Sequence, residues 1–270
     1  IYLYDIMRKK VLIFSFEGDF IKDIQMNYYA DKFEYQDNLF YLYRESPVMG
    51  DPAYSLVIKD DKGKTINKYY PLINKSPYIH DCIFRKLDNE ILFAEYMRDS
   101  VFSVRSGELT PKYFIDYKDK SMSKIDRESI LKGTRMALTV LLECKKMAGI
   151  EDIFEINDKV FINNTNVVVP KFTVYDKKTQ EVKTFSYILN DFLFIGFDHP
   201  IGQYKDNLIS IVGQEDFQTA IDDGFKYWQK KGILTAERAK ELRAMIEERF
   251  PDRNNLGETN PVLFLMKVKK

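Results

Sequence analysis

The 270-residue chain carries 41 Lys plus Arg against 41 Asp plus Glu, so its net charge is +0 and no long-range field favours nucleic acid or an anionic membrane as a partner. At 45% hydrophobic it can bury a large core, one domain over residues 1–270 is the simplest count, and no run approaches the ~18 apolar residues needed to span a bilayer. Two cysteines, Cys82 and Cys144, and two histidines, His80 and His199, are too few for a disulfide framework or a histidine-rich metal site.

In chain order, IYLYD, KVLIFSF and DFIKDIQM give three strands with a tight turn at Glu17-Gly18. The pattern starts part-way through and without an initiator Met, so an N-terminal segment carrying any signal or lipid-attachment sequence is expected upstream. YYADKFEYQD, NLFYLYRE, YSLVIKDD and KTINKYYPLI follow as four strands, with Lys62-Gly63 in the last hairpin. The next four, YIHDCIFRKLD, EILFAEYMRD, VFSVRSG and ELTPKYFIDY, place Ser106-Gly107 in the same position. The intervals from Gly18 to Gly63 and from Gly63 to Gly107 are 45 and 44 residues, and a recurrence of this length with several strands per unit is the signature of β-propeller blades. Leu39 to Tyr43 and Ile91 to Ala94 are continuous apolar runs although such short hairpins must be antiparallel, so these strands need cover on both faces, which neighbouring blades would supply.

A helical insertion is expected over about residues 123–148, from the spacing of Ile130, Leu131, Leu138 and Leu142. A fourth unit follows from EDIFEINDK to EVKTFSYIL, with Lys177-Lys178 in place of Gly and hence a longer hairpin loop. A fifth begins with DFLFIGFD and NLISIVGQ and breaks into a second helical insertion over about 215–250, with Thr235 as N-cap, Ala239, Leu242 and Ile246 on one face and Pro251 as its end. The closing NPVLFLMKVKK returns as a strand. The fold class expected is all-β, a propeller of four-stranded antiparallel blades, with three full blades, two partial ones and helical insertions.

The order of IYLYD, KVLIFSFEGDFIKDI, EILFAEYMRDSVFSVRSGELTPKYFIDY and, after a helix, ETNPVLFLMKVKK resembles the six-bladed β-propeller proteins of Bacteroidetes, which are NHL-like or TolB-like. Many of these are predicted secreted lipoproteins of unknown function. The resemblance implies an extracytoplasmic protein in the periplasm or at the outer membrane, held there by an N-terminal lipid outside this sequence. It also implies a missing blade and two flanking strands, on the order of 60 residues at this period. It brings no catalytic motif with it, and no cofactor or metal site is expected.

The chemistry-bearing residues give little more. Gly63-Lys64-Thr65 ends like a phosphate loop, but Ile58 stands where that motif needs glycine, so a hairpin turn is the better reading. Asn74-Lys75-Ser76 and Asn163-Asn164-Thr165 match a glycosylation acceptor, and ordinary turn polarity explains them equally well. In a propeller with conventional strand order, the loops handing one blade to the next open on the same face as the loops between second and third strands. Tyr28, Tyr29, Arg44, His80, Arg98 and Asn164, together with Glu45 and Asp99, would share that rim. Aromatic and polar groups in such a place suit recognition of a glycan, a peptide or another cell-envelope protein, and equally suit plain solvated loops. The alternative is a hydrolase or lyase with a metal at the central channel, for which Asp31, Glu34, Asp81, Asp152 and Asp191 lie near inner strands but not at equivalent positions.

Overall fold

The structure is a computed structural model describing residues 1–44, 54–71, 83–87, 89–95, 98–131, 145–147, 149–165, 171–186, 188–190, 193–197, 199–249 and 261–268. It divides into two compact units, Ile1–Ile153 with Thr165–Val168, and Phe154–Asn164 with Val169–Lys270.

In the first unit β1 (Tyr2–Asp5), β2 (Lys10–Phe14) and β3 (Phe20–Gln25) form an antiparallel sheet in sequence order. Four-stranded sheets follow, β4 (Lys32–Gln36), β5 (Leu39–Tyr43), β6 (Tyr54–Asp60) and β7 (Thr65–Pro71), then β8 (Ile83–Lys86), β9 (Ile91–Ala94), β10 (Ser100–Arg105) and β11 (Glu108–Phe114). A short 3-10 turn and α1 (Lys124–Leu131) come next. The expected insertion is thus helical over Lys124–Leu131 but not at residues 145–147, and residues 132–144 lie outside the described residues.

The continuous apolar runs are explained by period-2 alternation with cover on both faces. Phe40, Leu42 and Val57 point to one side of their sheet, where they meet Val11, Ile24 and Tyr28. Tyr41, Tyr43, Leu56 and Ile58 point to the other and meet Ile91, Phe93 and Val104. Successive side chains of a strand face opposite ways, so each central strand feeds two cores at once. Phe40, Leu42, Leu56, Ile58, Ile91 and Phe93 are fully buried, each contributing roughly 1.5–3 kcal/mol of transfer free energy.

Gly18, Gly63 and Gly107 sit in equivalent hairpins, between the last two strands of successive sheets, with φ of +96°, +80° and +85°. This backbone region is cheap only for glycine. Two of the hairpins are clipped to the sheet before them. A Cβ at Gly63 would run into the carbonyl oxygen of Gln25, and the carbonyl of Gly107 accepts from Asn67 Nδ2 at 2.8 Å and from the Tyr69 hydroxyl at 3.3 Å.

The fourth sheet has the order β12 (Gly149–Ile156), β13 (Lys159–Thr165), β14 (Lys171–Asp176), β15 (Val182–Phe185). Its last hairpin, residues 177–181, is longer than those at Gly63 and Gly107 but only as long as the Gly18 hairpin, 15–19, and is closed by Asp176 Oδ1 accepting the amides of Lys178 and Thr179, with Gln180 at φ +60°.

In the second unit β18 (Gly202–Tyr204), β19 (Asn207–Val212) and β20 (Val262–Lys267) form the fifth sheet, and the terminal strand pairs with β19 from Val212↔Val262 to Asn207↔Lys267. The described residues of DFLFIGFD, 193–197, are not part of that sheet; among them β17 (Gly196–Phe197) pairs, with β16 (Ile188–Leu189). The physical reason is burial: Leu193 and Ile195 enter the helical core, Phe194 turns to φ +56°, and a Cβ at Gly224 would strike the Phe194 carbonyl, so the helix lies directly on this segment.

The second insertion is two helices, not one: α2 (Gln214–Lys230) and α3 (Ala236–Arg249). Gly232 at φ +70° ends the first, where Ile233 and Leu234 donate back to the Trp228 carbonyl. Thr235 Oγ1 accepts the Arg238 amide at 3.2 Å, as expected of an N-cap, and Ala239, Leu242 and Ile246 are the buried face. They pack with Phe217, Ile221, Phe225 and Trp228 against Val262, Phe264 and Met266 of β20.

Among the described residues the sheets make five blade-like units, the first and fifth with three strands and the others with four, besides the β16–β17 ribbon. All are antiparallel meanders of the propeller-blade kind; the six blades implied by the family resemblance are not seen among them.

Candidate functional site

In a meander the start of the first strand and the end of the second lie at one end of the sheet. In the second sheet this is explicit, because Lys32 pairs with Tyr43 and the Asp31 amide donates to the Tyr43 carbonyl. Arg44, just past β5, therefore meets Tyr28 and Tyr29, just before β4. Its guanidinium carbon stands 5.8 Å from the Tyr28 ring centre and 5.4 Å from that of Tyr29. The next sheet repeats the arrangement. Arg98, in the loop between β9 and β10, lies 4.3 Å above the Tyr70 ring at the end of β7, and its Nε donates to the Glu95 carboxylate. Two successive blades thus close this end of the first unit with an arginine over a tyrosine, a contact that fixes both partners.

The two stacks differ in access. Arg44 is fully buried and Tyr28 nearly so, with the Tyr28 hydroxyl donating to the Tyr54 carbonyl. The Arg98 side chain is 41% exposed, and Tyr29, Tyr70 and Asp99 are half-buried. Tyr70 holds φ +57°, a costly value for a tyrosine, and its ring also stacks on Phe93 at 6.3 Å and meets Phe102 edge-on at 6.0 Å. Burial pushes its hydroxyl up to about 12, with Arg98 opposing the shift and Glu95 adding to it, so it is a neutral donor at physiological pH.

Beside this stack, Asp99 is raised above the usual carboxylate range by burial, against the pull of Arg127 and a hydrogen bond from Ser121. Tyr117 is raised by burial and by the charges of Asp99 and Glu151. Asp152 is engaged structurally, accepting from Arg85 Nη2 on β8. Among the described residues no three His, Cys, Asp or Glu side chains are grouped to hold a metal ion.

Of the residues expected on one rim, Arg44 meets Tyr28 and Tyr29, while Arg98 meets Tyr70 and Glu95 at the corresponding end of the next sheet. Tyr28 and Arg44 are interior rather than open to solvent. Asn164 belongs to the second unit and is also buried, its Nδ2 donating to the Ile162 carbonyl and Thr173 Oγ1. The neighbouring Asn163 gives its Nδ2 to the Pro200 carbonyl in a buried hydrogen bond, which removes it as a glycosylation acceptor. Glu45, His80, Asp81 and Asp191 lie outside the described residues, as does the Asn74 triplet. Tyr70 was missed because it reads as one more strand residue. The available signal was the doublet Tyr69-Tyr70, which ends its sheet much as Tyr28-Tyr29 follows the one before.

Sheet type and rim together define an all-β protein of propeller-like blades with an aromatic and cationic loop end. The chain belongs to the DUF4934 family, a domain of unknown function whose model matches residues 1–267. The comparison with curated proteins gives no match. Among solved structures it is similar to the crystal structure of a candidate exported protein from Bacteroides fragilis NCTC 9343. That likeness has a TM-score of 0.69 at 13% identity and covers 99% of this chain and 74% of that one.

Proposed function

We propose that this protein is a non-enzymatic, extracytoplasmic recognition module that binds a glycan, a peptide or a partner protein through the rim around Tyr29, Tyr70, Arg98 and Asp99. The observation that carries the reading is the repeated arginine-over-tyrosine stack on consecutive blades, buried in one and open in the next. Stacked, ion-paired side chains present aromatic faces and hydrogen-bonding tips with little conformational freedom left to lose, which favours binding by preorganisation. The raised Tyr70 hydroxyl suits a neutral donor rather than a nucleophile. Location outside the cytoplasm draws on the export ascribed to the Bacteroides fragilis relative and on the resemblance to secreted lipoproteins. Tethering by an N-terminal lipid rests on the same resemblance; no helix among the described residues is long and apolar enough to cross a membrane. A six-bladed closure of NHL-like or TolB-like type belongs to the same reading.

Glycan and peptide arrays provide the test, followed by affinity measurements on Arg98→Ala and Tyr29→Ala. A ligand whose affinity falls at least tenfold in both folded variants supports this rim. A ligand bound unchanged by both removes it.

A further inference from the structure

A second place in the molecule has the makings of a site. Where β19 runs into α2, within the second unit, a cavity of about 440 Å³ opens between Ile195, Ile201, Ile211 and Ala220, with His199 and Asp216 in its wall. Ile201 and Ile211 are 50% and 42% exposed, so the chain leaves aliphatic surface in water here. The volume is within the range of small-molecule sites, roughly 300–1,000 Å³.

The polar groups restrict what fits. The cap of α2 is Gly213, which has no side chain to satisfy the first-turn amides, and no side-chain cap bond is made. The Asp216 amide is taken by the Gly213 carbonyl, and the amides ahead of it, with the helix dipole, give this end of the cavity donors and partial positive charge. Asp216, in the first turn, sets a carboxylate against that charge, and Ala220 follows one turn later on the same helix face. His199 Nδ1 is buried with no hydrogen-bond partner among the described residues. A buried ring nitrogen without a partner is less costly as a bare lone pair than as an N–H, which leaves Nε2–H as the donor. Donors and a carboxylate acceptor therefore line one aliphatic cavity. An ammonium cannot accept from the donors, a carboxylate cannot donate to Asp216, and a hydroxyl does both.

We propose that this cavity binds a small neutral amphiphile, an aliphatic body carrying a hydroxyl head. The body lies on Ile195, Ile201 and Ile211, and the hydroxyl donates to Asp216 while accepting from His199 or from the α2 amides. This site is separate from the rim and stands or falls independently of it.

The test uses the whole chain with 13C-labelled isoleucine methyls and 1-hexanol as probe, with hexylamine and hexanoate as charged comparators. Hexanol is expected to shift the methyls of Ile195, Ile201 and Ile211 saturably, while Ile24 and Ile91 in the other unit stay fixed. Both ions are expected to bind at least tenfold more weakly. Ala220→Leu, which fills the cavity, should abolish the shifts, and His199→Phe should weaken them at least tenfold should the first variant fail to fold. Absence of saturation, ions binding as well as the alcohol, or unchanged binding in a folded variant would overturn the proposal.

Discussion

Arg44 and Arg98 occupy matching places in successive blades and should respond unequally to replacement. Arg44 is fully buried, so Arg44→Ala leaves a cavity beneath Tyr28 and Tyr29 and should destabilise by about 3 kcal/mol or more. Arg98 is 41% exposed, and its pair with Glu95 should be worth under about 1 kcal/mol. Urea denaturation of the two variants measures the contrast; equal losses would mean the burial difference is unimportant. Glu90 gives a pH prediction. Burial alone would raise its carboxyl, yet hydrogen bonds from Lys112, Ser103 and Arg105 hold it down to about 2. A carboxylate lowered by folding stabilises the protein above its unfolded value, about 4.3, and that contribution fades as the pH falls from there through about 2. Glu90→Ala should cost about 3 kcal/mol at pH 7, because it strands Lys112 and Ser103, and less at pH 3. A pH-independent cost in denaturation curves would contradict this assignment. None of this was legible beforehand, since a chain records that Arg44 and Glu90 are charged but not that their loops fold inward.

At the scale of elements the sequence was more informative, because a glycine in a tight hairpin answers a backbone demand that other residues meet poorly. The regular spacing of Gly18, Gly63 and Gly107 thus placed three hairpins correctly, but it could not show which hairpins abut a neighbour. Gly18→Ala meets only the strain of positive φ, about 1 kcal/mol, since nothing lies within 4 Å of its added methyl. Gly63→Ala also collides with the Gln25 backbone and should lower stability at least twice as much, as thermal melts of the two variants will show. In the helices, the Thr235 cap and the Ala239, Leu242, Ile246 face followed from spacing alone. The break at Gly232 and the diversion of Leu193 to Ile195 from strand to core did not, because both depend on what α2 packs against. Leu242→Ala should cost about 3 kcal/mol and Thr235→Ala about 1 kcal/mol in the same measurement.

For the molecule as a whole, a blade architecture separates two kinds of loop by strand direction. The hairpins of Gly18, Gly63 and Gly107 lie at one end of their sheets, and Tyr29, Tyr70 and Arg98 gather at the other. This separation provides an internal control for the proposed function. The most direct measurement is a hydrogen-exchange footprint of the protein with and without a ligand found on the arrays. Slowed exchange around Tyr29, Tyr70 and Arg98, with the hairpins at Gly18, Gly63 and Gly107 unchanged, is the result expected. Protection confined to those hairpins, or to α2 and α3, would contradict it.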